Sequence, residues 1–254
     1  MRSPADNTLH VWLVKLDDFL PLRDGLAALL APEESARAQR FHYPVHADHF
    51  TLCRGLLRTL LADYLGAAPA ALEFHYGDAG KPALAEAQNP QRLTFNLSHS
   101  GGVAVIAVTR ATAVGIDVEQ VDKALEVDQL ARRVLSETER ERLFSVAHGE
   151  RRRAFLRLWT HKEAYVKARG EGLGAPLAEI EVQLPTDGLT ARLTDRRHAG
   201  DTWTLRELSL APEYVGALAV ACRDPAIEQT RLTPSQVLTS APFRASRRGP
   251  RSGR

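Results

Sequence analysis

The sequence predicts an α+β chain of two similar halves, and three observations carry that expectation. Strand-like and helix-like segments follow one another in the same order twice. The apolar runs VAVIAVTR (103–110) and GALAVACR (216–223) close the two rounds, and the helix openings LAPEESARAQRF (30–41) and LSETERERLF (135–144) both set acids ahead of bases. The halves are expected at 1–112 and 113–225, followed by a polar, disordered tail at 226–254.

Leu9 to Leu16 alternates apolar residues around His10 and Lys15, which predicts a first strand, and Pro32-Glu-Glu opens a helix with proline in its first turn. Leu52, Leu56, Leu57, Leu60, Leu61 and Leu65 recur at spacings of three and four, so Phe50 to Leu65 reads as a buried helix stopped at Gly66. A strand at Leu72–Tyr76, the turn Gly77-Asp-Ala-Gly80, a proline-punctuated loop, and strands at Thr94–Leu97 and Val103–Val108 complete the first round. The second round sets a strand at Gly115–Val118, a helix capped at Ser136-Glu-Thr-Glu, and a long helix over 151–169. Strands at Ile180–Leu184, Trp203–Leu210 and Val215–Ala221 follow. Beyond Pro225 the chain turns polar, and residues 242–254 are rich in Arg, Ser, Gly and Pro.

A chain of 254 residues is long enough for one large core or two modest ones. With 44% hydrophobic and 25% charged residues, and 31 Gly plus Pro, it is neither fibrous nor of low complexity. The net charge of +2 rests on five arginines between Arg244 and Arg254, which leaves −3 over residues 1–243. Wholesale coating of nucleic acid is therefore not implied. Cys53 and Cys222 lie far apart inside apolar runs, which gives no disulfide framework or cysteine metal site and fits a reducing cytoplasm. No signal-peptide core begins the chain, and no window approaches the ~18 consecutive apolar residues of a membrane span.

Three segments carry the chemistry. In VGIDVEQV (114–121), Asp117 and Glu119 stand two apart on an apolar strand, and the period of two puts both carboxylates on one face. Two adjacent anions repel, so a cation belongs between them: Mg²⁺, which prefers oxygen ligands, or an arginine, unless both acids simply face solvent. In WTHKEAYVKARG (159–170), Trp159, Glu163 and Lys167 fall at i, i+4 and i+8 on one helix face, with Lys162 beside Trp159. By itself that is an ordinary Glu–Lys helix pair. Together with the strand acids, Glu163 supplies a third carboxylate, a donor set that suits Mg²⁺ serving a phosphorylated substrate. FNLSHSGG (95–102) ends a strand in a Ser-His-Ser-Gly-Gly turn able to grip a phosphate. Ser98 and His99 are not read as a hydrolytic pair, because neighbours on an extended chain point to opposite faces.

FNLSHSG, GIDVE and WTHKEAYVKARG, in that order and with Gly80-Lys-Pro82 upstream, resemble the signatures of the 4′-phosphopantetheinyl transferases. The length resembles the monomeric Sfp-type enzymes rather than the short trimeric holo-acyl-carrier synthases. Over about residues 9–222 the resemblance implies a pseudo-dimeric fold, two α+β halves related by a pseudo-twofold with the active site between them. It further implies that Asp117, Glu119 and Glu163 bind Mg²⁺ and that Lys81, Ser98, His99, Lys162 and Lys167 contact coenzyme A. Arg37 and Arg54 on the first helices are the candidates for the 3′-phosphate, and Glu163, Lys167 and His99 for the catalytic groups. His42, His46 and His49 have metal-helix spacing, but Pro44 interrupts such a helix and leaves them as loop histidines near the cofactor mouth.

The reaction implied is transfer of the phosphopantetheine arm from coenzyme A to a serine of an apo acyl or peptidyl carrier protein, releasing adenosine 3′,5′-bisphosphate. Carrier docking is expected on residues 170–184, aided by Arg169, with no nucleic acid or membrane involved. Two competitors are an Mg²⁺-dependent phosphohydrolase acting on a pyrophosphate, and a non-enzymatic carrier- or nucleic-acid-binding protein resting on the arginine-rich tail.

Overall fold

The alternating segment at the start of the chain forms β1 (Thr8–Lys15), with Leu9 and Val11 on one face and Trp12 and Val14 on the other, all buried. The structure, a computed structural model, describes residues 4–5, 7–122, 124–186 and 189–240. After β1 come α1 (Arg23–Ala27), α2 (Pro32–Gln39) and α3 (Pro44–Leu65). The last of these starts six residues before the predicted Phe50, because Pro44 sits in the first turn, where its missing N–H has no partner to lose. His46 and His49 therefore ride on a helix and are not loop residues. A short hairpin, β2 (Phe74–Tyr76) and β3 (Pro82–Leu84), leads to β4 (Leu93–Ser100) and β5 (Val103–Arg110).

The second series opens with β6 (Val114–Gln120), followed by α4 (Val127–Val134), α5 (Glu137–Ser145) and α6 (Arg151–Arg169). The predicted cap on α5 forms: Ser136 Oγ accepts from Glu139 N, and Glu139 Oε2 accepts from Ser136 N. Gly170, in the left-handed region at φ 75°, ends α6. Then come β7 (Ile180–Gln183), β8 (Thr190–Asp195), β9 (Thr204–Glu207) and β10 (Tyr214–Val220). The sequence reading missed α4 and β8, although Val127, Leu130, Ala131 and Val134 stand at helical spacing and Ala191 and Leu193 alternate as on a strand; both elements are short.

The segment expected to be a disordered tail is ordered as far as Ser240. It forms β11 (Ala226–Arg231) and α7 (Pro234–Thr239), while residues 241–254, the arginine-rich end, lie outside the described residues. β11 is polar because it is an edge strand. It pairs in parallel with β1 from Thr8↔Ala226 to Leu13↔Arg231, and main-chain bonds need no apolar side chain. Beyond it, Leu232 and Val237 are buried in the first core.

Among the described residues, two larger sheets form beside the β2–β3 hairpin, ordered β11-β1-β5-β4 and β6-β10-β9-β8-β7. Period-two alternation sorts their apolar residues into layers. Trp12, Ile106 and Val108 pack under the leucines of α3, while Leu9, Val11, Val105 and Ala107 face Val114, Ile116, Val118, Leu218 and Val220 of the other sheet. Ala217 and Ala219 turn outward against α6 with Phe155, Tyr165 and Val166. The order of layers is helix, sheet, sheet, helix, an α+β architecture in which the two sheets bury their inner faces on each other. Among the described residues, no helix is long and apolar enough to cross a membrane.

Candidate active site

The alternation that sends Val114, Ile116 and Val118 into the inter-sheet layer turns Asp117 and Glu119 toward α6. The helix can lie against that face because residue 115 is glycine. A Cβ there would fall 2.0 Å from the carbonyl oxygen of Ala164 and 2.4 Å from the amide nitrogen of Ala168. On α6 itself, Glu163 and Lys167 are one turn apart and share a face.

Asp117 is buried. Its Oδ1 accepts from Lys167 Nζ at 2.6 Å and from Ser98 Oγ at 2.8 Å, while its Oδ2 is buried without a partner. Burial pushes the Asp117 pKa up, Lys167 and Ser98 draw it back, and Glu119 adds to the rise. Glu163 is raised too, first by burial and then by the field of Asp117, with Lys167 opposing and Glu119 reinforcing. The strand pair and the helix acid thus share one electrostatic environment.

β4 runs beside these groups and extends past the predicted Leu97 to Ser100, so Ser98, His99 and Ser100 are strand residues, and only Gly101 and Gly102 form the turn. Alternation sends Asn96, Ser98 and Ser100 to β6 as rungs. Asn96 Oδ1 accepts from Ile116 N at 2.8 Å, and Ser100 Oγ donates to Glu119 Oε2 at 2.7 Å. Ser100 and Asn96 escaped the sequence reading; their signal was the same period of two that pairs Asp117 with Glu119. His99 points the other way, toward α3, where the His49 ring meets it edge-on at 6.4 Å between centroids. The surrounding protein, then His49, Lys167 and His46, lowers the His99 pKa, which favours the neutral imidazole.

The donor set suits a divalent cation: three carboxylates, oxygen atoms throughout, and one buried oxygen left unpaired. The Lys167 ammonium pairs with Asp117 Oδ1 at 2.6 Å. Among the described residues, no three His, Cys, Asp or Glu side chains are gathered closely enough to hold a metal. A cation bound here would need the three carboxylates to close in on it, with Asp117 Oδ2 the oxygen still open.

Several cations singled out in the sequence are already committed. Lys162 is fully buried, and its ammonium donates to Glu139 Oε2 at 2.5 Å and to the carbonyls of Val134 and Leu177 at 2.9 Å each. It cannot reach coenzyme A, and its role is to tie α4, α5 and α6 together. Lys162→Ala should strand Glu139 as a buried, uncompensated charge and lower stability by about 3 kcal/mol in urea unfolding. Arg54 is likewise buried, paired with Glu34 at 2.7 Å and donating to the Tyr76 hydroxyl at 2.6 Å. Only Arg37 of the two arginine candidates stays exposed, its guanidinium 5.2 Å from the centroid of Phe50. Arg169 is held by Glu171 and, at 2.8 Å, by Asp201, so it is not a free cation for a carrier. Lys81 donates to the carbonyls of Val114 and Lys167 at 2.7 Å each and of Ala168 at 3.4 Å, not into open space.

Residues 113–221 match the 4′-phosphopantetheinyl transferase superfamily, and residues 22–111 match the N-terminal region of 4′-phosphopantetheinyl transferases. The chain is 40% identical over 214 residues to the 4′-phosphopantetheinyl transferase HetI of Nostoc sp., covering 84% of this chain and 87% of that protein. It is 29% identical to the 4′-phosphopantetheinyl transferase Sfp of Bacillus subtilis, over 63% of this chain and 69% of that one. Among solved structures, a holo-(acyl-carrier-protein) synthase from Bacillus anthracis in complex with CoA (3′,5′-ADP) aligns at 25% identity with a TM-score of 0.38, covering 43% of this chain and 96% of that one. With HetI matched at 40% identity over most of both chains, and both halves of the chain matched by models of the family, this protein belongs to the 4′-phosphopantetheinyl transferase superfamily.

Proposed function

We propose that this enzyme, acting as a monomer in the cytoplasm, transfers the 4′-phosphopantetheine arm of coenzyme A to a serine of an apo acyl or peptidyl carrier protein, with Mg²⁺ and with release of adenosine 3′,5′-bisphosphate. The observation that carries the reading is the buried, unpartnered Oδ2 of Asp117 within the shared field of Glu119, Glu163 and Lys167. Asp117, Glu119 and Glu163 would hold the metal, which when bound supplies charge neutralisation on diphosphate oxygens.

The chain's own groups divide the remaining work. Lys167, released from Asp117, is the cation within reach of a phosphoryl oxygen, and Ser98 Oγ lies 3.3 Å from its ammonium. His99, favoured neutral and turned toward α3, is the candidate imidazole for a phosphate oxygen on that side of β4. Glu163, its pKa raised by burial, is the acid proposed to take the serine proton, in which case Asp117 and Glu119 would be the ones to hold the metal. Exposed Arg37 at the edge of the first half is the candidate for the 3′-phosphate.

Mass spectrometry of apo carriers mixed with enzyme, coenzyme A and Mg²⁺ tests the reading: the expected result is a carrier heavier by one phosphopantetheine, and no addition across a panel of carriers would refute it. Steady release of the bisphosphate from coenzyme A alone would mark a hydrolase instead, a reading that the names of the relatives do not favour. Lys167→Ala should lower kcat about 100-fold while leaving the unfolding midpoint within a few degrees. Unchanged turnover would leave Lys167 only a structural partner of Asp117.

A further inference from the structure

Lys81 lies outside the carboxylate cluster, yet its ammonium joins the two elements that form it. A lysine ammonium has three N–H donors, and here each has a carbonyl acceptor: Val114 O at 2.7 Å, Lys167 O at 2.7 Å and Ala168 O at 3.4 Å. Val114 opens β6 three residues ahead of Asp117, and Lys167 and Ala168 lie in the last turn of α6. Carbonyls in the last turn of a helix lack a helical partner, though Lys167 O also accepts from Gly170 N at 3.3 Å, and a cation there suits the helix dipole.

We propose that Lys81 is a positioning residue: it locks the C-terminal turn of α6 onto the start of β6, and so sets where the Lys167 ammonium meets Asp117. This assignment differs from a direct coenzyme contact, and it rests on the transferase reading only in taking Lys167 and Asp117 as the working pair.

The hairpin that delivers Lys81 is built to hold still. Gly80 adopts φ 76° and donates to the Gly77 carbonyl at 2.7 Å, and Gly77 in turn donates to the Lys81 carbonyl at 3.1 Å. The tip is seated on the loop that follows α6, where a Cβ added at Gly172 would fall 2.6 Å from Ala79 Cβ. A strap from the first half thus grips α6 at its last turn through Lys81 and just beyond it through Ala79. At Gly115, beside the Lys81 contact, the helix and strand backbones already meet, so any loosening there carries straight to the Lys167–Asp117 pair at 2.6 Å. Burial lowers the Lys81 pKa to about 8, which leaves the ammonium largely protonated at neutral pH.

The test compares Lys81→Met, which keeps the aliphatic stem and loses the donors, with Lys81→Arg, which keeps a long cationic donor. Both are made in the full chain and assayed with coenzyme A, Mg²⁺ and an apo carrier, alongside amide hydrogen exchange. With Lys81→Met, kcat should fall about 30-fold while KM for coenzyme A changes less than about threefold, since charge-assisted bonds are lost away from the substrate. Peptides covering residues 165–171 should exchange about tenfold faster, with α3 unchanged. Lys81→Arg should restore protection and kcat to within about threefold of the parent. A rise in KM for coenzyme A at constant kcat would overturn the proposal in favour of a direct coenzyme contact. Unchanged exchange with Lys81→Met, or an arginine variant that exchanges as fast as the methionine one, would overturn it as well. If the parent enzyme transfers nothing, the transferase reading fails, while the exchange measurement still decides whether Lys81 holds the helix.

Discussion

Asp117→Asn should abolish transfer to an apo carrier, with a loss of about 1000-fold or more at saturating Mg²⁺, and should leave the fold at neutral pH as stable as the parent or more so. The activity loss follows from removing the one acid that contacts both Lys167 and Ser98 and also keeps a free oxygen. The stability sign follows from its titration. Burial raises the folded-state pKa of Asp117 above its unfolded value, and so does burial for Glu163. A group shifted upward stabilises the fold below its unfolded pKa, and that contribution is lost as pH rises through the folded pKa. In metal-free buffer the parent should therefore lose stability between the ordinary carboxylate range and neutrality, and Asp117→Asn should lose less. Thermal unfolding at pH 4 and pH 7, with and without Mg²⁺, checks this. A variant that keeps its turnover, or one that is much less stable than the parent at pH 7, would show that Asp117 is a structural ion-pair residue.

Gly115→Ala is expected to have the largest effect on the fold. The new methyl would lie 2.0 Å from a main-chain oxygen and 2.4 Å from a main-chain nitrogen of α6, and neither can swing aside as a flexible side chain would. The helix has to lift from the sheet, at about 3 kcal/mol or more. The same displacement separates Glu163 and Lys167 from Asp117, so residual folded protein should show transfer reduced about 100-fold. Urea unfolding and carrier modification on the same preparation measure both. Parent-like values in both would mean that the close approach of α6 to Gly115 does not constrain the helix.

Much of the site was legible because it depends on short-range periodicity. Residues two apart on a strand share a face, as Asp117 and Glu119 do, and residues four apart on a helix share a face, as Glu163 and Lys167 do. These relations hold wherever the elements pack. The α5 cap was legible for the same reason, since Ser136 and Glu139 satisfy each other within one turn. The start of α3 was misread because a proline inside a helix breaks it, whereas a proline in the first turn does not; only the position of the helix start separates the two cases.

The sequence by itself determined the α+β alternation, the two acids on one strand face and the third acid on a helix face, because all of these follow from local repeats of two and 3.6 residues. The tertiary structure alone decided which cations are free to act. Lys162 is spent on Glu139, Arg54 on Glu34, Arg169 on Glu171 and Asp201, and Lys81 on three carbonyls. It likewise decided that polar β11 completes a sheet beside β1. The physical reason is common to both: the partner of a charge or of an edge strand is a long-range matter, set by which distant segment is packed within about 3 Å, and no local pattern in the chain encodes that distance.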